Sequence, residues 1–237
     1  MKKKEIKIPI FLDNYIIKNF LESRTGIVLS NWLNQGIRYM NSFERLYRMV
    51  TEIFVIFILF LFLSRLIHYS IAIAISVLIV HTLFWLFNGH FFVLMRYISN
   101  RPNDPSRFIY YIKCLNERVR KKKFLLAAAG FGSLSKGKFS SSSDFDLRLM
   151  RKKGIINSIL AFNYAALERA KAFLSAFPLD IYVFDLEEIK YKIRSDEPPI
   201  ILYDPEGALS KNVKNRIDFI EFSQSFERKY IHSDGKA

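Results

Sequence analysis

Asp144 and Asp146 stand one residue apart in the stretch Ser143-Asp144-Phe145-Asp146-Leu147. In an extended strand, residues i and i+2 face the same side, so these carboxylates are held side by side. Like charges that close repel, and one would stay protonated without a cation between them. A pair of Mg²⁺ ions about 3.5–4 Å apart is the usual reason to build such a cluster. Mg²⁺ takes oxygen ligands and commonly shares them with substrate phosphates. A third acid, Asp180, opens the apolar run Leu179-Asp180-Ile181-Tyr182-Val183-Phe184, where a carboxylate needs a reason to be. Ahead of the pair lies Gly132-Ser133. Glycine lets backbone approach a phosphate closely. Ser133 offers a hydroxyl and an N–H, and Lys136 and Lys138 add positive charge.

These residues need elements to hold them. Phe124–Ala129 is an apolar run of strand length, and Asp144–Leu149 reads as the next strand after the Gly-Ser loop. Ile155–Phe177 has helical periodicity and stops before Pro178. Leu179–Asp185 and Pro199–Asp204 read as further strands, Phe108–Lys121 and residues 210–228 as flanking helices. Strands and helices in alternation predict an α/β or α+β domain. Lys121–Lys123 read as a solvated helix end, Tyr203 and Asp204 as turn residues, and Cys114 as a packed helix residue.

Gly132-Ser133, Gly137 four residues after that serine, nine residues between Ser133 and Ser143, and then Asp144-Phe145-Asp146-Leu147 resemble the pattern of the DNA polymerase β-type nucleotidyltransferase superfamily. The spacing is closest to its minimal, small-domain members. "LDIYVF" is similar to their third-aspartate strand, and "ILYDPEGAL", Ile201–Leu209, to the strand and turn that often close such domains. The likeness covers roughly residues 110–210. Where many members carry an arginine after Gly-Ser, Leu134 stands here, with Lys136 two residues on. The resemblance implies an α+β (α/β-like) nucleotidyltransferase domain with a mixed sheet, and transfer of an NMP from an NTP to an acceptor hydroxyl, with pyrophosphate released. Asp144, Asp146 and Asp180 are then the catalytic residues and the ligands of two Mg²⁺ ions, with Mn²⁺ as the alternative. Gly132, Ser133, Lys136 and Ser143 are the expected nucleotide-binding residues.

The rest of the chain is of another kind. Glu52–Phe87 is almost wholly apolar: Ile53–Leu63 is 11 residues without interruption, and Ile71–Phe87 carries only His81 as an ionisable group. Extended over Met49–Ile67, the first run reaches the about 20 residues a membrane span needs. Apolarity all round a helix argues against a soluble bundle. A transmembrane hairpin turning around Arg65–Ser70 is expected, with His81 a packed intramembrane residue. Arg38, Arg45 and Arg48 precede it and Arg96, Arg101 and Arg107 follow it, while the turn holds Arg65 alone. The positive-inside rule then places both termini and the catalytic domain in the cytoplasm. The basic N-terminus lacks the apolar core of a secretory signal peptide, so no cleaved segment is expected. From about Asp13 the chain reads as a broken amphipathic helix, with Ile16, Ile17, Phe20 and Leu21 opposite Lys18, Asn19 and Glu22 and with breaks at Gly26 and Gly36. Such a segment suits a membrane surface or packing on the domain. The division expected is residues 1–48 amphipathic, 49–98 hairpin, 108–228 nucleotidyltransferase domain after the polar linker Ser99–Arg107, and 229–237 tail.

Lys+Arg outnumber Asp+Glu 36 to 22, a net charge of +14, which favours anionic partners without choosing among them. One cysteine excludes an internal disulfide, and the four histidines show no zinc spacing. Nucleic acid is not the expected partner, because no helix-turn-helix or basic-aromatic strand pattern is present and much of the charge flanks the hairpin. The expected partners are an NTP, the lipid bilayer and a membrane-bound acceptor such as a lipid-linked or cell-envelope precursor. The alternatives are a nucleotide-binding membrane module without turnover, of a sensor or antitoxin-like kind, and protein AMPylation.

Overall fold

The computed structural model describes residues 20–21, 23–35, 40–88, 103–192, 197–213 and 215–232. The amphipathic segment as far as Asn19, Glu22, Gly36, the flanking Arg38, Arg96 and Arg101, the start of the linker and the tail after His232 lie outside the described residues.

Asn41 caps the first long helix, its Oδ1 accepting from the Glu44 N–H at 2.7 Å. That helix, α2 (Ser42–Leu63), follows α1 (Arg24–Asn34) and turns through residues 64–68 into α3 (Tyr69–Asn88). Ser42–Leu63 and Tyr69–Phe87 are long and apolar enough to cross a membrane, with mean hydropathies of 2.2 and 2.3. Only 6% and 22% of those stretches is buried, whereas the core helix of a soluble protein would be mostly covered. α1 packs on the far end of α3: Trp32 Nε1 donates to Thr82 Oγ1 at 3.2 Å, and Trp85 Nε1 to Asn31 Oδ1 at 2.7 Å. The ionisable groups of the hairpin gather there too. His81 Nδ1 lies 2.6 Å from Glu52 Oε1, its Nε2 3.1 Å from the Trp32 carbonyl, and Arg48 donates to Gln35 Oε1 at 2.6 Å.

After Asp104, which caps α4 (Pro105–Arg120), comes the α+β part: β1 (Leu125–Phe131), β2 (Phe145–Arg151), α5 (Ile155–Leu174), β3 (Leu179–Phe184), α6 (Leu186–Lys192), β4 (Ile200–Tyr203), β5 (Ile217–Asp218) and α7 (Phe219–Tyr230). The described strands form one sheet in the order β3-β2-β1-β4-β5. β1 is antiparallel to β2 and to β4, while β2–β3 and β4–β5 are parallel, so the sheet is mixed, as expected from sequence. The expected strands lie within a residue or two of those observed. The helix expected over 210–228 begins only at Phe219, because a 3₁₀ turn (Ser210–Asn212) and β5 take up its first part.

The two sheet faces differ. On one, Phe145, Leu147, Leu149, Ile181 and Val183 bury against α4, α5 and α7, forming the larger core. The other carries a smaller cluster that includes Met150, Tyr182, Phe184, Ile189 and Leu209. By strand alternation, Asp146, Arg148 and Asp180 belong to this second face.

The first turns of α2 pack on the sheet. Phe43 and Tyr47 lie against Phe162 of α5, with ring centroids 5.6 and 5.3 Å away. Glu44 Oε2 accepts from the Val183 N–H at 3.1 Å, and its Oε1 from Arg169 Nη2 at 2.9 Å; Arg169 also donates to the Ile181 carbonyl. β3 is a sheet edge, and an edge strand leaves backbone groups in need of partners. Glu44 and Arg169 supply them, so the helix that continues into the apolar hairpin is fastened to the strand that bears Asp180.

Candidate functional site

β1 brings Phe131 opposite Asp146 and then turns at Gly132, whose φ is 80°. A Cβ at Gly132 would collide with Asp146 Oδ2. Glycine is therefore required twice, by its left-handed backbone and by the carboxylate in the space its missing side chain leaves. Ser133 leads into a 3₁₀ turn, Leu134–Lys136, which ends at Gly137 with φ 65°. Leu134 is buried beneath this turn, and Ser135 Oγ donates to the Gly132 carbonyl at 2.9 Å. Ser133 and Lys136 are left exposed.

Asp146 and Asp180 are register partners across the parallel β2–β3 pair. Arg148, two residues past Asp146 and on the same face, bridges them. Its Nη2 lies 3.3 Å from both Asp146 Oδ1 and Asp180 Oδ2, and its Nη1 donates to the Asp180 carbonyl at 3.2 Å. The guanidinium sits 5.0 Å from the centroid of the Tyr182 ring, in cation–π range. Burial, then Asp180, then Asp144 push the Asp146 carboxyl up to about 8, against the opposing pull of Arg148. Burial works against charge on Arg148, but Asp180 and Asp146 outweigh it and hold the guanidinium above its ordinary value. Arg148 thus bridges two acids, and Asp144 lies within charge range of one of them.

The sequence-expected residues divide in place. Asp146, Asp180 and Gly132 meet at one spot, with Asp144 near enough to act on Asp146 by charge. Ser143 is buried and its hydroxyl accepts from the Ser140 N–H at 2.8 Å, while its carbonyl accepts from Asn103 Nδ2 at 2.7 Å. It shapes the loop that delivers Asp144. Among the described residues, no three His, Cys, Asp or Glu side chains converge as a ready-made metal cage. The donor set itself suits a hard divalent cation: it is made of carboxylate oxygens, and burial with the neighbouring acids pushes the Asp146 carboxyl up to about 8.

Arg148 was missed in the sequence, although strand periodicity put it on the same face as Asp144 and Asp146. The Glu44–Arg169 clip joins residues 125 apart, and nothing in the local sequence signals it. No protein-family model matches the chain, and no curated protein matches it.

Proposed function

We propose that this chain is a membrane-anchored, metal-dependent nucleotidyltransferase. It would move an NMP from an NTP to an acceptor hydroxyl. The observation that carries the reading is the acid cluster, Asp146 in register with Asp180 and seated in the gap at Gly132, beside a loop with an exposed hydroxyl and lysine. Asp144, Asp146 and Asp180 would hold two Mg²⁺ ions, or Mn²⁺, which when bound neutralise triphosphate charge and acidify the acceptor hydroxyl. Ser133 and Lys136 bind the triphosphate through the hydroxyl, the N–H and the ammonium. The acceptor oxygen attacks the α-phosphorus in line. Its bond to phosphorus forms as the bond to the β-phosphate oxygen breaks, and Asp180 takes the acceptor's proton. Arg148 gives up its contacts with the carboxylates when other cations arrive. Positioning and charge neutralisation supply most of the rate.

The two long apolar helices support anchoring in a membrane. The basic residues around the hairpin favour two spans with both termini and the catalytic domain in the cytoplasm. A membrane anchor is useful when the acceptor is membrane-bound, and a lipid-linked or cell-envelope precursor is the acceptor proposed. Nucleotide binding without turnover is the second reading. It is favoured by Leu134, a buried apolar side chain where many superfamily members place a cation.

The deciding assay is pyrophosphate release by the detergent-solubilised chain with each of the four NTPs, Mg²⁺ and a membrane lipid extract. Release that disappears in the Asp144→Ala/Asp146→Ala variant is expected. Mg²⁺-dependent nucleotide binding with no release from any NTP would replace the transferase with the binding module.

A further inference from the structure

The outer face of α5 is wrong for water. Its exposed apolar positions are Ile155, Ile156, Ile159, Leu160, Leu167 and Leu174, relieved only by the exposed Asn163 and Lys171. Ile156 is 75% exposed and Leu174 78%, so these side chains are not partly packed core residues. Ile156, Leu160, Leu167 and Leu174 follow a spacing of four, eleven and eighteen residues, about one, three and five helical turns. They form one line along the whole helix. A helix on the surface of a soluble domain normally turns a polar face outward.

The apolar hairpin adjoins this helix. α5 packs on both of its helices, through Phe43 and Tyr47 of α2 against Phe162 and through Phe87 of α3 against Phe173, ring centroids 5.2 Å apart. Tyr47 Oη also donates to Asn163 Oδ1 at 2.7 Å, which engages one of the two polar groups on the face. Beside this contact, Leu46, Met49, Val50 and Ile53 of α2 are exposed as well. Lys153 stands exposed at the head of α5, and Lys171 beside the line near its end.

We propose that the outer face of α5 is a membrane-contact surface. The helix lies along the lipid–water boundary, with its isoleucines and leucines among the acyl chains and Lys153 and Lys171 at the level of anionic headgroups. This rests on reading α2 and α3 as membrane helices, and it makes the catalytic domain a body lying on the bilayer instead of one tethered above it. A consequence follows for the acceptor. The carboxylates occupy the sheet face opposite α5, so the site opens away from the membrane. An acceptor hydroxyl must then stand clear of the surface by at least the diameter of a helix, about 10–12 Å. A lipid with an extended headgroup, such as a sugar chain, meets that demand, and a hydroxyl at the glycerol level does not.

The test uses the full chain in vesicles of phosphatidylcholine and phosphatidylglycerol, with and without brominated acyl chains. In a Cys114→Ser background, single cysteines at Ile156, Leu160, Leu167 and Leu174 carry an environment-sensitive fluorophore. Phe57→Cys reports on the hairpin and Lys121→Cys on an exposed position of the domain. The expected result is a blue shift and bromolipid quenching along the whole α5 line, at a depth of about 5–10 Å, with none at Lys121. Quenching at Phe57 with none on α5 would overturn the proposal while leaving the hairpin in the membrane. A blue shift on α5 without quenching would mean a second protein copy covers the face, which also overturns it. No quenching even at Phe57 would overturn the membrane reading beneath both.

Discussion

β3 carries two charge clusters that look alike in composition and behave differently. At its edge, Glu44 and Arg169 pair one to one, and each also satisfies a backbone group of the strand. On its face, Arg148 Nη2 is shared between Asp146 and Asp180, and Asp144 acts on Asp146 by charge. The edge cluster is balanced and therefore structural: it closes a sheet edge and fixes α2. In the face cluster burial, then Asp180 and Asp144, push the Asp146 carboxyl up to about 8. An acid perturbed in this way makes the face cluster the candidate functional site.

The largest expected effect separates the clusters by what each one loses. Asp180→Asn removes one of the acids from the face. Pyrophosphate release should fall by roughly 10³-fold or more, while the melting temperature stays level or rises as repulsion is relieved. A variant that melts much earlier would place Asp180 among the structural charges. Glu44→Ala is the converse. It strands Arg169 and leaves the Val183 N–H without its acceptor, so unfolding free energy should drop by about 3–5 kcal/mol. Denaturant titration of the detergent-solubilised chain reads this. A change below about 1 kcal/mol, the worth of an exposed pair, would show that the clip is ornamental and that α2 is only loosely attached.

The same contrast governs what could be read from sequence. The face cluster was largely legible because it is local: Gly132, Asp144 and Asp146 fall within fifteen residues, and period-two spacing sets the two acids on one side. Asp180 was legible as an acid out of place at the head of an apolar strand. The first four strands followed from their apolar runs, and the two long helices from their apolarity. β5 was not legible, since two residues, Ile217 and Asp218, carry no periodicity. The edge clip was hidden because its partners come from α2 and α5, and only tertiary packing brings them together. Ser143 stands in the pattern too, and the structure adds a local role that the sequence does not signal: its hydroxyl accepts from the Ser140 N–H.

The last expected effect is the dependence of stability on pH. Asp146 has a folded pKa of about 8, against about 3.9 for an unperturbed aspartate. Between those values the folded chain holds a proton that the unfolded chain has released. Linkage then makes stability fall as pH rises through that window, and the loss is complete above the folded value. The informative quantity is the difference between the wild type and Asp146→Asn, which isolates this one carboxyl. With chelator present, the variant should melt at nearly the wild-type temperature near pH 4, and its advantage should grow steadily toward pH 8. Adding Mg²⁺ at the upper end should raise the wild-type melting temperature and leave the variant unmoved, because a cation relieves the repulsion that the Asp146 carboxylate meets from Asp180 and Asp144 and that a neutral amide does not. A difference curve that stays flat with pH would mean that Arg148 balances the face as completely as Arg169 balances the edge, and the two clusters would then be of one kind.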